Sequence, residues 1–405
     1  MSPRPALAAA PAATPASTPV APPVDAAFKV LAVDPSLFTA PYDAALGAGL
    51  ATAGVRVEWA SRALRPGEEG DLDPAAHRLT CYRRSDGPNR RRGLAGRLVK
   101  GCEHALDLRR IVRLADARGY DLVHFQWAIM PIFDIPAMRR IARDRPVVLT
   151  VHDVTPFNGA AVNAWQRRGF DDLFGVVDHV IVHTAGARAS LIARGADADA
   201  ISVIAHGPLS LRHAARPMPG KSPDRWRVVL FGRLQTYKGI DVLIEALGRL
   251  PDAVRHRLEV VVAGDPLVDL APLLRRADAL GLTAPLLQIV PRRLDDQDMA
   301  DLLGSADSFV FPYRAIEASG VLFLVAGLGR WVIASDLGAF ADVIGHDGAR
   351  GALVPPGDAD ALAAALADAV GRRPARDAQI PGWDAIGAQT AALYRRLLAK
   401  RARAA

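Results

Sequence analysis

With 405 residues, 50% of them hydrophobic, the chain exceeds the roughly 250 to 300 residues at which a single core stops growing, so two domains are expected. A formal net charge of +7 draws anions to the surface but does not choose among nucleic acid, anionic lipid and phosphorylated small molecules. Two cysteines, Cys81 and Cys102, are too few for a disulfide scaffold or a cysteine-based zinc site, and they fit a reducing, cytoplasmic compartment.

Residues 1–26 are interrupted by proline too often to form the apolar core of a signal peptide and read as a disordered Pro/Ala-rich tail. No run approaches the roughly 18 apolar residues of a membrane-spanning helix. From Phe28 onward, FKVLAVD reads as a short apolar strand, AALGAGLATAG as a helix closed by Gly54, and VRVEWAS as a second strand. DLVHFQW, PVVLTVHD and HVIVHT follow as strands, separated by helical segments such as IPAMRRIARD and GARASLIARG. Buried strands alternating with helices predict a parallel, doubly wound sheet.

Between Arg83 and Gly101 lie seven basic residues and one acidic residue, among them Arg90, Arg91 and Arg92. This segment and a short helix after it are candidates for contact with anionic lipid or a lipid-linked acceptor. A solvated charge run explains the composition equally well. A polar, Pro-containing interval, HGPLSLRHAARPMPGKSPDR, interrupts the alternation, which then restarts from WRVVLFG to DADALAAALADAV. The expected organisation is a first Rossmann-like domain over 27–208, a linker over 209–225, a second over 226–382, and a terminal helix with a basic tail over 383–405. In that last segment Trp383, Ile386, Ala391, Leu393 and Leu397 recur at helical spacing.

In FGRLQTYKGID a strand ends at Gly232 and a helix begins after Gly239, placing Arg233 and Lys238 on a loop at the strand's carboxyl end. Two fixed cations there can neutralise a diphosphate, which gains charge as a leaving group, although the same residues would also serve as ordinary loop cations. In FPYRAIEASGVLFL, Arg314 and Glu317 lie on a second loop and Ser319-Gly320 open an apolar helix. Its free N–H groups suit a phosphate, while Ser319 could equally be only a helix cap. WVIASDLGAFADVI repeats the pattern of strand, glycine-containing turn and helix.

GRLQTYKGIDVLIEAL, VVVAGD, SADSFVFPYRAIEASGVLFL and WVIASDLGAFADVI, in that order and spacing, resemble the donor domain of family 4 glycosyltransferases of GT-B fold. DPSLFTAPYDAALGAGLATAGVRV, YDLVHFQW, VVLTVHDV and HVIVHTAGARASLIARG with ISVIAHGPL resemble the first domain of that family. The resemblance spans about residues 28 to 400. It implies two α/β Rossmann-like domains facing a central cleft, with the terminal helix crossing back to the first. It further implies retaining, metal-independent transfer from a nucleoside-diphosphate (NDP) sugar, with no other cofactor, to a lipid-linked or saccharide acceptor in polysaccharide or glycoconjugate assembly. Arg233 and Lys238 match the pair that holds the diphosphate, and His152 matches a strand-end histidine that reaches the sugar. Glu317 stands near the first of two glutamates that the family spaces seven residues apart. Gly232, Tyr237, Gly264, Arg314, Ser319, Gly320 and Val321 complete the donor-binding set. The second glutamate is replaced by Leu324 or Val325, which cannot accept hydrogen bonds from ribose hydroxyls.

On the acceptor side, Asp34, Ser36, Tyr42 and Asp43 follow the first strand and are candidates for facing the cleft, with capping and turn formation the alternative for Asp34 and Ser36. An epimerase of the same architecture would need acid and base groups on both faces of the sugar, and no such pair is evident. A catalytically degenerate binder or scaffold stays open because of Leu324 and Val325. Nucleic acid is not an expected partner, since no recognition helix, zinc motif or RNA-binding motif accompanies the positive charge. A peripheral position on the inner face of the cell membrane is compatible with the basic segment.

Overall fold

A computed structural model describes residues 28–65, 68, 72–86, 93–154, 169–217, 222–315, 319–374 and 381–404. The first half forms strands β1 (Lys29–Asp34), β2 (Arg56–Arg62), β3 (His77–Cys81), β4 (Leu122–Phe125), β5 (Val147–Val151), β6 (His179–Val182) and β7 (Ile201–Val203). Its helices are α1 (Ala40–Thr52), α2 (Gly93–Ala117), α3 (Pro131–Ala142) and α4 (Ala185–Ala193). All strand pairs are parallel, in the order β3-β2-β1-β4-β5-β6-β7. Alternation along each strand sends Leu31, Val123 and Leu149 to one face, against Leu108 and Ile111 of α2 and Met138 of α3. Val30, Leu122, Val148 and Ile181 go to the other face, against Leu46 and Leu50 of α1.

The second half repeats the plan with β8 (Trp226–Phe231), β9 (Leu258–Ala263), β10 (Leu287–Val290), β11 (Ser308–Phe311), β12 (Trp331–Ser335) and β13 (Gly351–Val354). Its helices are α5 (Ile240–Arg249), α6 (Asp252–Arg255), α7 (Ala271–Ala279), α8 (Asp296–Ser305), α9 (Gly320–Ala326), α10 (Gly338–Ile344) and α11 (Ala359–Ala369). The strand order is β10-β9-β8-β11-β12-β13, again parallel. In each sheet the order reverses beside its first strand, at β1/β4 and at β8/β11. Loops leaving the carboxyl ends there diverge and open a crevice.

Helix α12 (Trp383–Ala404) returns to the first half and supplies Ile386, Ala391, Leu393, Tyr394 and Leu397 to the face covered by α1. The two helices approach so closely that a Cβ on Gly387 would lie 2.1 Å from the backbone of Gly49, and a Cβ on Gly49 would lie 2.1 Å from the Trp383 carbonyl oxygen. Tyr394 hydrogen-bonds His124 Nδ1 at 2.6 Å, and Arg395 donates to the Ala53 carbonyl at 2.9 Å. Residues 209–217 of the expected linker are fastened to the second half: the Leu209 amide donates to Phe323 and Arg216 pairs with Asp301. Helix α2 is 25 residues long, where the sequence suggested a short helix after the basic segment.

Gly387→Ala should therefore overpack the α1/α12 crossing and cost about 1–3 kcal/mol, read as a lower thermal midpoint. An unchanged midpoint would mean that the crossing relaxes freely.

Candidate active site

The loop between β8 and α5 carries the candidate cations. Gly232 has φ +115°, and a Cβ there would lie 2.9 Å from Lys238 Nζ; beside it, a Cβ on Gly264 would strike the Gly232 carbonyl oxygen at 1.9 Å. Neither position accommodates a side chain, so the loop folds back tightly over the ends of β8 and β9. Lys238 is consequently buried, with its ammonium donating to the Phe231 carbonyl at 3.0 Å and to the Tyr313 hydroxyl at 2.6 Å. Tyr313 is itself buried at the end of β11 and reaches Ser319, the cap of α9. One hydroxyl thus ties together the two loops that leave the β8/β11 switch point.

Burial, followed by the neighbouring Arg233 charge, pushes Lys238 down to about 7. Arg233 stays exposed on the same loop. Tyr237 beside it is pushed up by burial, with the Arg233 charge opposing and the Asp153 charge adding. Asp153 belongs to the first half, so the two halves sense each other across the gap. Between them lies a cleft of about 450 Å³. Gly232, Arg233, Tyr237, Lys238, Ser319, Gly320 and Val321 line it together. A Cβ on Gly320 would enter open space.

Other expected residues lie elsewhere. Arg314 is not among the residues lining the cleft; its guanidinium pairs with Asp241 in the first turn of α5, and its amide donates to the Tyr237 carbonyl at 2.7 Å. Gly264 stands behind Gly232. Glu317, Arg90, Arg91 and Arg92 fall outside the described residues. Tyr42 and Asp43 are buried beneath the cleft and do not face it. Tyr42 packs edge-on to His152 at 4.8 Å between ring centres and to Trp383 at 5.2 Å. Burial pushes Asp34 up to about 6, against the pull of a hydrogen bond with Asp43 and of the amides of Thr39, Phe38 and Leu37. That agrees with a turn-forming role for Asp34.

His152 sits at the end of β5, stacked on Trp127 at 5.0 Å. Burial, followed by the neighbouring histidines, holds it well below its usual range, so it is neutral. Its tautomer follows from a relay. The Ile204 carbonyl can only accept, so His183 Nδ1 donates to it at 3.0 Å, and neutral His183 then accepts at Nε2 from His152 Nδ1 at 3.1 Å. His152 Nε2 is therefore an acceptor, inaccessible to solvent and without a hydrogen-bond partner. His206 extends the aromatic cluster into the second half, stacked on Phe323 of α9 at 3.9 Å with planes 7° apart.

Sequence reasoning missed Pro41, Asp153, Leu209, Ser210, Arg212 and Met299 in the cleft wall. Asp153 follows directly on the strand-end histidine, a position that could have flagged it. Leu209, Ser210 and Arg212 were assigned to a linker.

A family model described as Glycosyltransferase Family 4 matches residues 44–207, and one described as Glycosyl transferases group 1 matches residues 225–371. The chain belongs to the family 4 glycosyltransferases of GT-B fold. It is similar to phosphatidyl-myo-inositol mannosyltransferase of Mycolicibacterium smegmatis, with 30% identity over 260 residues; the match spans 61% of this chain and 61% of that protein. Among solved structures, sucrose-phosphate synthase of Thermosynechococcus elongatus has a TM-score of 0.65 at 19% identity, covering 92% of this chain and 100% of that one. Anabaena HepE in complex with UDP and glucose has a TM-score of 0.58 at 21% identity, covering 92% and 95%. These two share the fold.

The position of Lys238 gives a pH test with a defined sign. A diphosphate diester loses no proton near neutrality, whereas Lys238 loses its charge as pH rises through about 7. Affinity for such a ligand should fall above pH 7, approaching tenfold per unit, with proton uptake on binding that calorimetry in buffers of different ionisation enthalpy would detect. A flat profile between pH 6 and 9 would show that Lys238 does not meet the charge.

Proposed function

We propose that this protein is a retaining glycosyltransferase that moves a sugar from an NDP-sugar to a lipid-linked or saccharide acceptor, in polysaccharide or glycoconjugate assembly at the inner face of a membrane. The observation that carries this reading is the pair Arg233 and Lys238 on the β8 loop, at the switch point of the second sheet and lining a cleft whose other wall includes Pro41 and Asp153. Two cations there are suited to hold the diphosphate and to stabilise the charge it gains on leaving. The glycosidic C–O bond to phosphate breaks, the acceptor oxygen bonds to the anomeric carbon on the same face, and the departing phosphate takes the acceptor proton. Such a step requires no protein base and no metal.

The relay fixes His152 as a neutral acceptor at Nε2, but that atom is buried and His152 is not among the residues lining the cleft, so contact with the transferred sugar would require a local rearrangement beside Trp127. Leu324 lines the cleft and offers no acceptor to the ribose. Ser210 lines it too and carries a hydroxyl with no partner among the described residues, so we assign the ribose contact to Ser210. Leu324 also favours a second reading, a protein that binds NDP-sugar without transferring it.

Thermal unfolding with a panel of UDP-, GDP- and ADP-sugars tests the first reading. At least one should protect the protein, and Lys238→Ala should weaken that binding about 10- to 150-fold, the range for a hydrogen bond to a charged group. Protection that survives Lys238→Ala combined with Arg233→Ala would remove the donor site from this loop. His152→Ala should lower donor turnover up to about tenfold while nucleotide protection persists. Protection by a nucleotide-sugar with neither hydrolysis nor transfer would select the second reading.

A further inference from the structure

Strands β8 and β9 are apolar except at one level, where Arg227 stands opposite Glu259 near their amino ends. Both side chains are buried, and Arg227 Nη2 donates to Glu259 Oε1 at 2.8 Å. Replacing such a pair with apolar residues is often neutral or stabilising, so stability does not account for it. Glu259 Oε2 is also buried, and it has no hydrogen-bond partner among the described residues, although a carboxylate oxygen in that position needs a donor. Glu259 lines a cavity of about 410 Å³, within the size range of small-molecule sites. The cavity exists because α8, running from β10 to β11, packs over β8 and leaves the edge strand β10 uncovered on that face, with Gln288 and Val290 half-buried. Among the described residues, none that lines it also lines the cleft.

The lining charges decide what fits there. Arg216 holds Asp301 through Nε at 3.0 Å and Nη2 at 2.7 Å, Arg292 holds Asp298 at 2.8 Å, and Arg227 holds Glu259, so the three cations of the wall are matched by its three carboxylates. Such a wall selects neither anion nor cation, yet it is rich in hydrogen-bonding groups. Gln288 adds an amide that has no hydrogen-bond partner among the described residues. It pairs with Val261 and so shares a sheet face with Glu259, one strand across and two residues along. Strand spacing and rise put the two backbones about 8 Å apart, which leaves room for one ring between the side chains. Val261, Ala263, Val290, Leu294 and Leu302 make the rest of the wall apolar. A carboxylate acceptor, an amide that donates and accepts, and an aliphatic floor together complement a neutral ring bearing hydroxyls, each of which donates once and accepts twice. We propose that this cavity is a saccharide-binding site separate from the donor cleft, in which one hydroxyl donates to Glu259 Oε2, a second meets the Gln288 amide, and a C–H face of the ring rests on Val261, Val290 and Leu302. The proposal goes beyond the donor reading and does not depend on it.

Saturation-transfer NMR on the full chain with glucose, galactose, mannose and N-acetylglucosamine tests this site. At least one sugar should give a saturable signal, and that signal should persist in Lys238→Ala combined with Arg233→Ala, where only the cleft is altered. Gln288→Ala should weaken the binding about three- to tenfold, the range for one hydrogen bond. Val290→Trp, at a half-buried position on the edge strand, should fill the cavity and remove the signal. Protection by nucleotide-sugar should stay at the wild-type level in these last two variants. No signal from any of the four sugars would leave Glu259 to water and overturn the proposal, as would a signal that neither Gln288→Ala nor Val290→Trp diminishes. Loss of the signal in the combined Lys238 and Arg233 variant would place the sugar in the cleft and overturn it as well. Absence of all nucleotide-sugar protection with the sugar signal intact would remove the donor reading and leave this site standing.

Discussion

The donor half is organised around one buried ammonium. Lys238 lies under the carboxyl ends of β8 and β11, where the Phe231 carbonyl and the Tyr313 hydroxyl accept from it. Burying a cation is unfavourable unless its donors are satisfied, and here two of three are, which leaves one for a ligand. The same constraint dictates the surroundings. Gly232 favours glycine because its φ is +115°, with Lys238 Nζ close by, and Gly264 must lack a side chain because the Gly232 carbonyl is pressed against it. Tyr313 then passes the constraint to Ser319, so the second loop is positioned by the first.

The halves meet through aromatic rings on the axis between them. His206 ends the first half and stacks on Phe323, which belongs to the helix whose cap borders the cleft. Tyr42, His152, His183 and Trp383 pack around the same point. Burial keeps His183 at about 4 and His206 at about 3, so near neutral pH the junction carries no charge and its hydrogen-bond directions are fixed. The neutral, directional histidine chain ends at His152, whose Nε2 acceptor is buried behind the residues that line the cleft.

Strands that are buried on both faces were legible in the sequence because each is a continuous apolar run: β1, β4, β5, β8 and β9 all appear there. Strands β3, β7 and β13 were not, and each is an edge strand. With one side open, HRLTC, ISV and GALV need no such run, and their half-exposed residues give no period to read. Residues of the donor loop were legible because local chemistry fixes them: glycine where the chain folds back, cations where the strand ends. Leu209, Ser210 and Arg212 reach the cleft only because the segment after β7 is tied to Phe323 and α8, a tertiary fact with no local signature. Tyr42 and Asp43 were misplaced for a related reason. Their position after the first strand was read correctly, but Tyr42 packs against Trp383, more than three hundred residues later, and Asp43 turns inward to Asp34.

That dependence bears on how the chain acquires its shape. The first sheet has a face built from Val30, Leu122, Val148 and Ile181 that α12 helps to cover, and α12 leaves the ribosome after every other described element. Domains commonly fold in order of synthesis, each as a unit. Here the earlier unit cannot close until the later one is made, so for most of translation it presents an open apolar flank. Closure of the first half is thus a late event, and a chain cut short of Trp383 would leave that flank open.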